Sequence, residues 1–241
     1  MTLLDHLSML TLLDAAAFGL LVFCWLVVSW WIEHPGASHP SVTVIMIKFR
    51  HEWMRQFVTR EPRVFDAAIL GNLRQATTFF ASGCMIAIGG MLAMIGNTEQ
   101  LQMVASDLTV DEVPNIVWQL KLLAVVMFLT NGFLKFVWSN RLFGYCAVVM
   151  AAVPNDVEAP SAYARAAQAA EINVRAAWNF NRGLRAVYYA LGTLAWLLGP
   201  VPLILATLTV TFIIWQREFM SLSRTILKSG PPMPAAEEDR L

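Results

Sequence analysis

The residues with the most chemical potential in this chain are cations that lack local counter-charges. Residues 67–98, 113–155 and 172–217 contain no Asp or Glu, yet they hold Arg74, Lys121, Lys135, Arg141, Arg175, Arg182, Arg185 and Arg217. A desolvated cation requires a partner. The choices are lipid phosphates, an anionic solute, backbone carbonyls, or a carboxylate such as Glu218, Glu171 or Glu33 brought close by folding. Arg182 and Arg185 are three apart and so occupy neighbouring helical positions, with Asn179 and Asn181 near enough to add neutral donors. Arginine's planar fork suits phosphate or carboxylate. The expected set for an anion or lipid headgroup is therefore Arg182, Arg185, Asn179, Asn181, Arg74, Lys135 and Arg141. The plainer reading is that these side chains snorkel and anchor the chain.

Other chemistries lack their parts. No H-E-x-x-H, G-x-S-x-G, P-loop or G-x-G-x-x-G motif is present. His6, His34, His39 and His51 all lie outside the apolar runs, so no axial pair for a haem is available. No carboxylate falls within those runs, which argues against a buried proton relay or intramembrane hydrolysis by paired Asp residues. Cys24, Cys84 and Cys146 are far apart and read as small buried hydrophobes. The expectation is a protein that is not an enzyme, with no catalytic residue, metal or cofactor. A formal net charge of zero gives no argument for nucleic acid.

The elements that must hold these cations are apolar. Of 241 residues, 57% are hydrophobic and 14% charged, with mean hydropathy +0.56, so a soluble fold would lack the polar surface to cover its core. The fold class expected is all-α, a polytopic membrane helical bundle. Ala15 to Ile32 is an 18-residue charge-free run closed by Trp30 and Trp31 and then Pro35-Gly36. With no Lys or Arg before it, this run is expected to remain as a span rather than be removed as a signal peptide. Ala76 to Gly96 is a second run, with Gly83, Ala87 and Gly90 on one face as a helix-packing stripe. Ile116 to Trp138 is a third, expected to continue as helix until Pro154.

The last stretch, Ala186 to Trp215, is ambiguous because Gly199-Pro200-Val201-Pro202 interrupts it. It could be one kinked helix giving four spans, two short spans giving five, or a re-entrant hairpin. Charge favours five. Six Lys and Arg lie between the first two spans, five after the third and four after Trp215, while the loop from Asn97 to Asn115 has none. With five spans, an outside N-terminus and a cytoplasmic C-terminus, all fifteen fall inside. The spans are then about 11–32, 75–96, 115–138, 182–199 and 200–217, in a single membrane domain over 1–221. Amphipathic cytoplasmic-side helices are expected over 42–58 and 161–181, the second with Glu171 paired to Arg175. Residues 222–241 read as a flexible cytoplasmic tail, Pro-rich and then acidic.

Several clusters resemble domain-of-unknown-function family 599, a group of uncharacterised bacterial integral membrane proteins. They include Arg50-His51-Glu52-Trp53-Met54, Leu70-Gly71-Asn72-Leu73-Arg74 with Phe79-Phe80-Ala81-Ser82, and Phe136-Val137-Trp138-Ser139 with Phe143, Tyr145 and Cys146. Further on come Phe180-Asn181-Arg182-Gly183-Leu184-Arg185 with Tyr188-Tyr189, Ala195-Trp196 with Gly199-Pro200, and Arg217-Glu218-Phe219 with Ser221. The resemblance implies residence in the bacterial inner membrane and carries over no activity. The function expected is a homo-oligomeric channel or transporter binding anions or lipid headgroups; the alternative is a non-transporting accessory or scaffold subunit of another membrane complex. Expected partners are the lipid bilayer, anionic phospholipids, and a second copy or another membrane subunit, without nucleic acid.

Overall fold

The computed structural model describes residues 11–36, 38–97 and 114–229, all of the regular structure being helical. The acidic loop and the Pro-rich, acidic tail beyond Ser229 lie outside the described residues. α1 runs over Leu12–Glu33, where Thr11 and Asp14 form a reciprocal capping box. α2, Val42–Thr59, starts at Ser41, whose hydroxyl accepts from Val44 N and donates to the Ile32 carbonyl at 2.7 Å. One serine thus ties the end of α1 to the start of α2. α3 is Val64–Gly96, α4 Asn115–Ala151 and α5 Ala162–Thr193. A 3-10 turn, Leu194–Leu198, leads to α6, Pro200–Phe219, and then α7, Leu222–Ser229.

Among the described residues, four stretches are long and apolar enough to cross a membrane: α1, α3, α4 and Pro200–Ser229. The architecture is consistent with a polytopic helical bundle. α3 to α5 have 33, 37 and 32 residues. At 1.5 Å per residue they are roughly 48–56 Å long, some 20 Å more than a bilayer core requires.

The excess forms a second layer. In one core Leu21, Ile32, Phe128, Tyr189, Trp196, Leu203 and Ile214 pack together among α1, α4, α5, α6 and the 3-10 turn. In the other, Met54, Phe57, Leu70, Phe143, Cys146 and Met150 pack against the alanines of α5 from Ala162 to Ala176. α4 and α5 run antiparallel through both layers. Phe128 stacks near Tyr189, Ser139 donates to the Ala176 carbonyl at 2.7 Å, and Cys146 approaches the Ala169 carbonyl. The closest approach is at two glycines. A Cβ on Gly183 would stand 2.7 Å from the Phe136 ring, and one on Gly132 would stand 3.3 Å from the Gly183 carbonyl.

Ala186 to Trp215 does not form one kinked helix. Gly199 adopts φ 122° and ψ 174°, a conformation open essentially only to glycine, and the chain reverses there. Tyr189 and Thr211 hydroxyls meet at 2.9 Å, Gly192 faces Val210, and Arg217 reaches Tyr188, as an antiparallel hairpin requires. The amphipathic segment expected over 161–181 is also not a separate helix. It continues unbroken into the apolar half of α5, because nothing between Arg175 and Thr193 stops a helix.

The outer surface of the first layer is apolar. Phe23, Leu26, Phe79, Met85, Ile86, Met127, Leu134, Leu205 and Phe212 are all exposed, and only 6% of the most apolar window of α3 is buried. A water-soluble monomer does not carry such a belt.

Candidate functional site

Glu33, at the end of α1, is the centre of the strongest polar cluster. Arg182 Nε and Nη2 donate to its two carboxylate oxygens at 2.8 and 2.5 Å, a bidentate fork, and Arg185 Nη2 donates at 2.5 Å. Arg185 Nε turns to Ser29 at 3.2 Å, and the Arg182 guanidinium lies 5.9 Å from the Trp178 ring centre. The Glu33 and Arg185 side chains are 7% and 5% exposed. One carboxylate thus fills the Arg182 fork and one arm of the Arg185 fork, whose other arm goes to Ser29. Their Asn companions are engaged elsewhere. Asn179 donates to the Arg175 carbonyl within its own helix, and Asn181 donates to Thr43 Oγ1 at 3.3 Å.

Arg74 and Arg141 stand differently. They lie on α3 and α4 along a groove of about 650 Å³, lined also by Thr78, Ala81, Ser82, Met85, Phe133, Val137, Asn140, Tyr145 and Val148. Arg74 Nε makes a long contact of 3.4 Å with Asn140 Oδ1, and Asn140 donates to Thr78 at 2.8 Å. Arg141 donates from Nε to the Tyr145 hydroxyl at 2.5 Å. Beyond Arg74 a second hollow of about 400 Å³ opens between Phe57, Arg63, Leu70, Met150 and Asn155. Among the described residues no carboxylate lines either space. Lys135 belongs to neither; half-buried on α4, it makes no ion pair among the described residues.

Gly83 and Gly90 sit on the uncovered face of α3, where an added Cβ would meet nothing within 4 Å, while Ala87 packs against the first core. Of the small-residue stripe, Ala87 is therefore covered, while Gly83 and Gly90 have no partner helix within one copy of the described chain.

Sequence reading missed several polar contacts between elements. Asp66 accepts from Trp53 Nε1 at 2.6 Å and pairs with Arg60 at 2.5 Å, joining α2 to α3. Asp14 accepts from Trp196 Nε1 at 2.7 Å, with the Lys121 ammonium nearby over the Trp118 and Trp196 rings. Arg63 donates to the carbonyls of Val58, Val153 and Pro154, pinning the α2–α3 turn to the segment after α4. Glu171 pairs with His51 of α2 at 2.8 Å rather than with Arg175. Hydrogen bonding to the Ile47 carbonyl and to Glu171 raises the His51 pKa above its ordinary value. A tryptophan placed opposite a carboxylate is the one signal that could have flagged Asp14 and Asp66, but the pairs are 182 and 13 residues apart. Among the described residues no three His, Cys, Asp or Glu gather into a metal-binding group.

A family model described as "Protein of unknown function, DUF599" matches residues 16–223. No curated protein and no solved structure matches the chain.

Proposed function

The chain belongs to domain-of-unknown-function family 599, and we propose that it crosses the bacterial inner membrane five times and holds an anionic headgroup at the cytoplasmic leaflet. The spans are α1, α3, the first part of α4, the apolar half of α5 with its 3-10 turn, and α6. The N-terminus lies outside and the C-terminus in the cytoplasm. Support comes from the basic residues, fifteen of which this arrangement puts inside, and from the reversal at Gly199, which gives the last hydrophobic stretch two antiparallel arms.

The groove at Arg74 and Arg141 carries the proposal. Arg141 follows Trp138 by less than one turn, which suits a headgroup just beyond an interfacial aromatic. From Arg74 to Met85 the groove descends eleven residues of helix, about 16 Å, close to the depth of one leaflet. Arg74 at the end of the α3 wall and Arg141 midway along the α4 wall, with Met85, Phe133 and Val137 on the apolar side of them, fit a phosphate with an acyl chain attached. A free anion would use the two guanidinium groups alone. Arg182 and Arg185 serve this function less well, because Glu33 and Ser29 already take their forks. We read the protein as a binding or scaffold protein rather than an enzyme.

Retention of phosphatidylglycerol by the purified protein, measured by native mass spectrometry, tests the reading. Retention should fall several-fold in Arg74→Gln/Arg141→Gln, while phosphatidylcholine should be held equally weakly by both forms. Unchanged phosphatidylglycerol retention in the double variant would remove the proposal. Chloride and phosphate flux in liposomes separates the channel or transporter form from a non-transporting one.

The open Gly83–Gly90 face of α3 favours a second reading, in which the chain assembles with a second copy or another membrane subunit and transports nothing. Gly90→Leu should then disrupt assembly while leaving the fold of the single chain intact.

A further inference from the structure

A cavity of about 220 Å³ lies between α2, α5 and α6, away from the groove just described. Val42, Met46, Ile47, Val174 and Ala177 give it apolar wall, while Thr43, Arg50, Trp178, Asn181 and Glu218 bring polar groups to it from all three helices. Arg50 of α2 stands at one end. It donates from Nη1 to the Asn173 side chain, and no carboxylate pairs with it among the described residues. Glu218 of α6 belongs to the other end, where its two oxygens accept from the Thr43 backbone N–H at 3.0 Å and the Thr43 hydroxyl at 2.9 Å. It too has no cation within ion-pair distance among the described residues, although the Arg185 guanidinium is near enough to attract it. Between them, Trp178 of α5 carries an Nε1–H that is buried and has no hydrogen-bond partner.

The ends are separated along α2 by seven residues, from Thr43 to Arg50, a rise of about 10 Å. Register on α5 agrees, since Asn173 meets Arg50 and Asn181 meets Thr43, with Trp178 between. A buried donor without a partner is rare and costs stability unless something occupies it. A cation and a carboxylate that share one cavity, neither in a contact ion pair, would normally collapse onto each other. Here Asn173 holds one back and Thr43 the other.

We propose that this cavity binds a small zwitterion, its anionic group held by Arg50 and the Trp178 N–H and its ammonium by Glu218. Phosphate or carboxylate meets the guanidinium fork, and a primary ammonium meets a carboxylate that still has free lone pairs. Both the phosphoethanolamine group of a lipid and a free soluble zwitterion have this chemistry. The source is read separately from the site.

The test uses the full chain in phosphatidylcholine nanodiscs, with calorimetric titration of phosphoethanolamine, inorganic phosphate and ethylamine. Phosphoethanolamine should bind at least ten-fold more tightly than phosphate or ethylamine. Arg50→Gln and Glu218→Gln should each remove that advantage, and Trp178→Phe, which keeps the ring and deletes the N–H, should weaken binding several-fold. Retention of diacyl phosphatidylethanolamine by native mass spectrometry, sensitive to the same substitutions, would assign the lipid as source; its absence beside tight phosphoethanolamine binding would assign the free solute. Phosphate binding as tightly as phosphoethanolamine would overturn the proposal in favour of a simple anion site. Failure of all three probes would overturn it in favour of a water-filled void, and equally tight binding by Trp178→Phe and wild type would overturn the assignment of the anionic group to the Trp178 N–H.

Discussion

Glu33→Gln is the perturbation that tests the inner charge cluster most directly. The wild-type carboxylate accepts three guanidinium hydrogen bonds of 2.5 to 2.8 Å. Substituting the amide removes the charge with little change of shape and leaves two guanidinium groups without a counter-charge. Removing one partner of a buried ion pair costs about 3–5 kcal/mol. At roughly 2–4 °C per kcal/mol for a chain of this size, the melting temperature should fall by about 6–20 °C. The lower end is expected, because the Arg182 side chain is 39% exposed and can regain water, whereas Arg185 at 5% cannot. The measurement is thermal unfolding in detergent, followed by tryptophan fluorescence. Arg182→Gln should cost less, since Arg185 keeps its bond to Glu33. In Glu33→Gln/Arg185→Gln the loss should be smaller than the sum of the single losses by about 0.5–3 kcal/mol, because each removes the other's uncompensated charge. A shift under about 2 °C in Glu33→Gln, or strict additivity in the pair, would refute the argument.

Gly183→Ala should destabilise by about 1–3 kcal/mol, measured as the same thermal shift, because its Cβ would lie 2.7 to 2.9 Å from three atoms of the buried Phe136 ring. That ring cannot retreat, being packed against Phe80 and Phe180, whereas Gly90→Ala meets open space and should be nearly neutral. The His51–Glu171 contact should make the α2–α5 junction pH-dependent. The folded-state pKa of His51 is raised, so its contribution is complete below about 6.5 and lost as pH rises through the higher folded value. Both side chains are substantially exposed, so the effect should be about 0.5 kcal/mol or less, visible as a wild-type minus His51→Gln difference that vanishes at alkaline pH. A reporter fused at Lys228 should read cytoplasmic and one between Asp107 and Glu112 periplasmic; a periplasmic reading at Lys228 would eliminate five spans.

The apolar helices were legible because their signal is local. Trp30 with Pro35-Gly36, and the absence of any breaker between Trp138 and Pro154, suffice to bound α1 and α4. The hairpin was only partly legible. Gly199-Pro200 marks a break, but a kink and a reversal share that sequence, and it is the contact of Tyr189 with Thr211 that separates them. The boundary expected near residue 182 came from a change of composition, which alters what surrounds a helix without ending it. Glu171 and Arg175 have ideal spacing for a helical pair worth only about 0.2–0.5 kcal/mol, so a neighbouring histidine on α2 readily takes the carboxylate. Glu33 appears among the possible partners on the sequence, yet it lies 149 residues from Arg182, and only tertiary structure selects it.

The inference from an unpaired cation to an external anion depends on depth. Lys121, near the tip of the hairpin, has Asp14 and two indole rings close by, and Arg182 and Arg185 have Glu33. Arg74 and Arg141 have only neutral partners, one or more turns further toward the second layer. For these groups this is the order that desolvation imposes; Lys135, between Lys121 and Arg141 on α4 and without an ion pair among the described residues, departs from it. A charge facing hydrocarbon must carry its counter-charge within the protein, while one at headgroup level can draw on lipid phosphate and water. The two groups should therefore separate under mutation. Arg74→Gln/Arg141→Gln should change lipid retention several-fold and move the melting temperature in lipid-free detergent by less than about 4 °C, since no internal ion pair is broken. Glu33→Gln should do the reverse, lowering the melting temperature while leaving phosphatidylglycerol retention near wild type at a temperature where both remain folded. If Glu33→Gln instead increased retention of anionic lipid, Arg182 and Arg185 freed from their carboxylate would be the headgroup site, and the division by depth would fail.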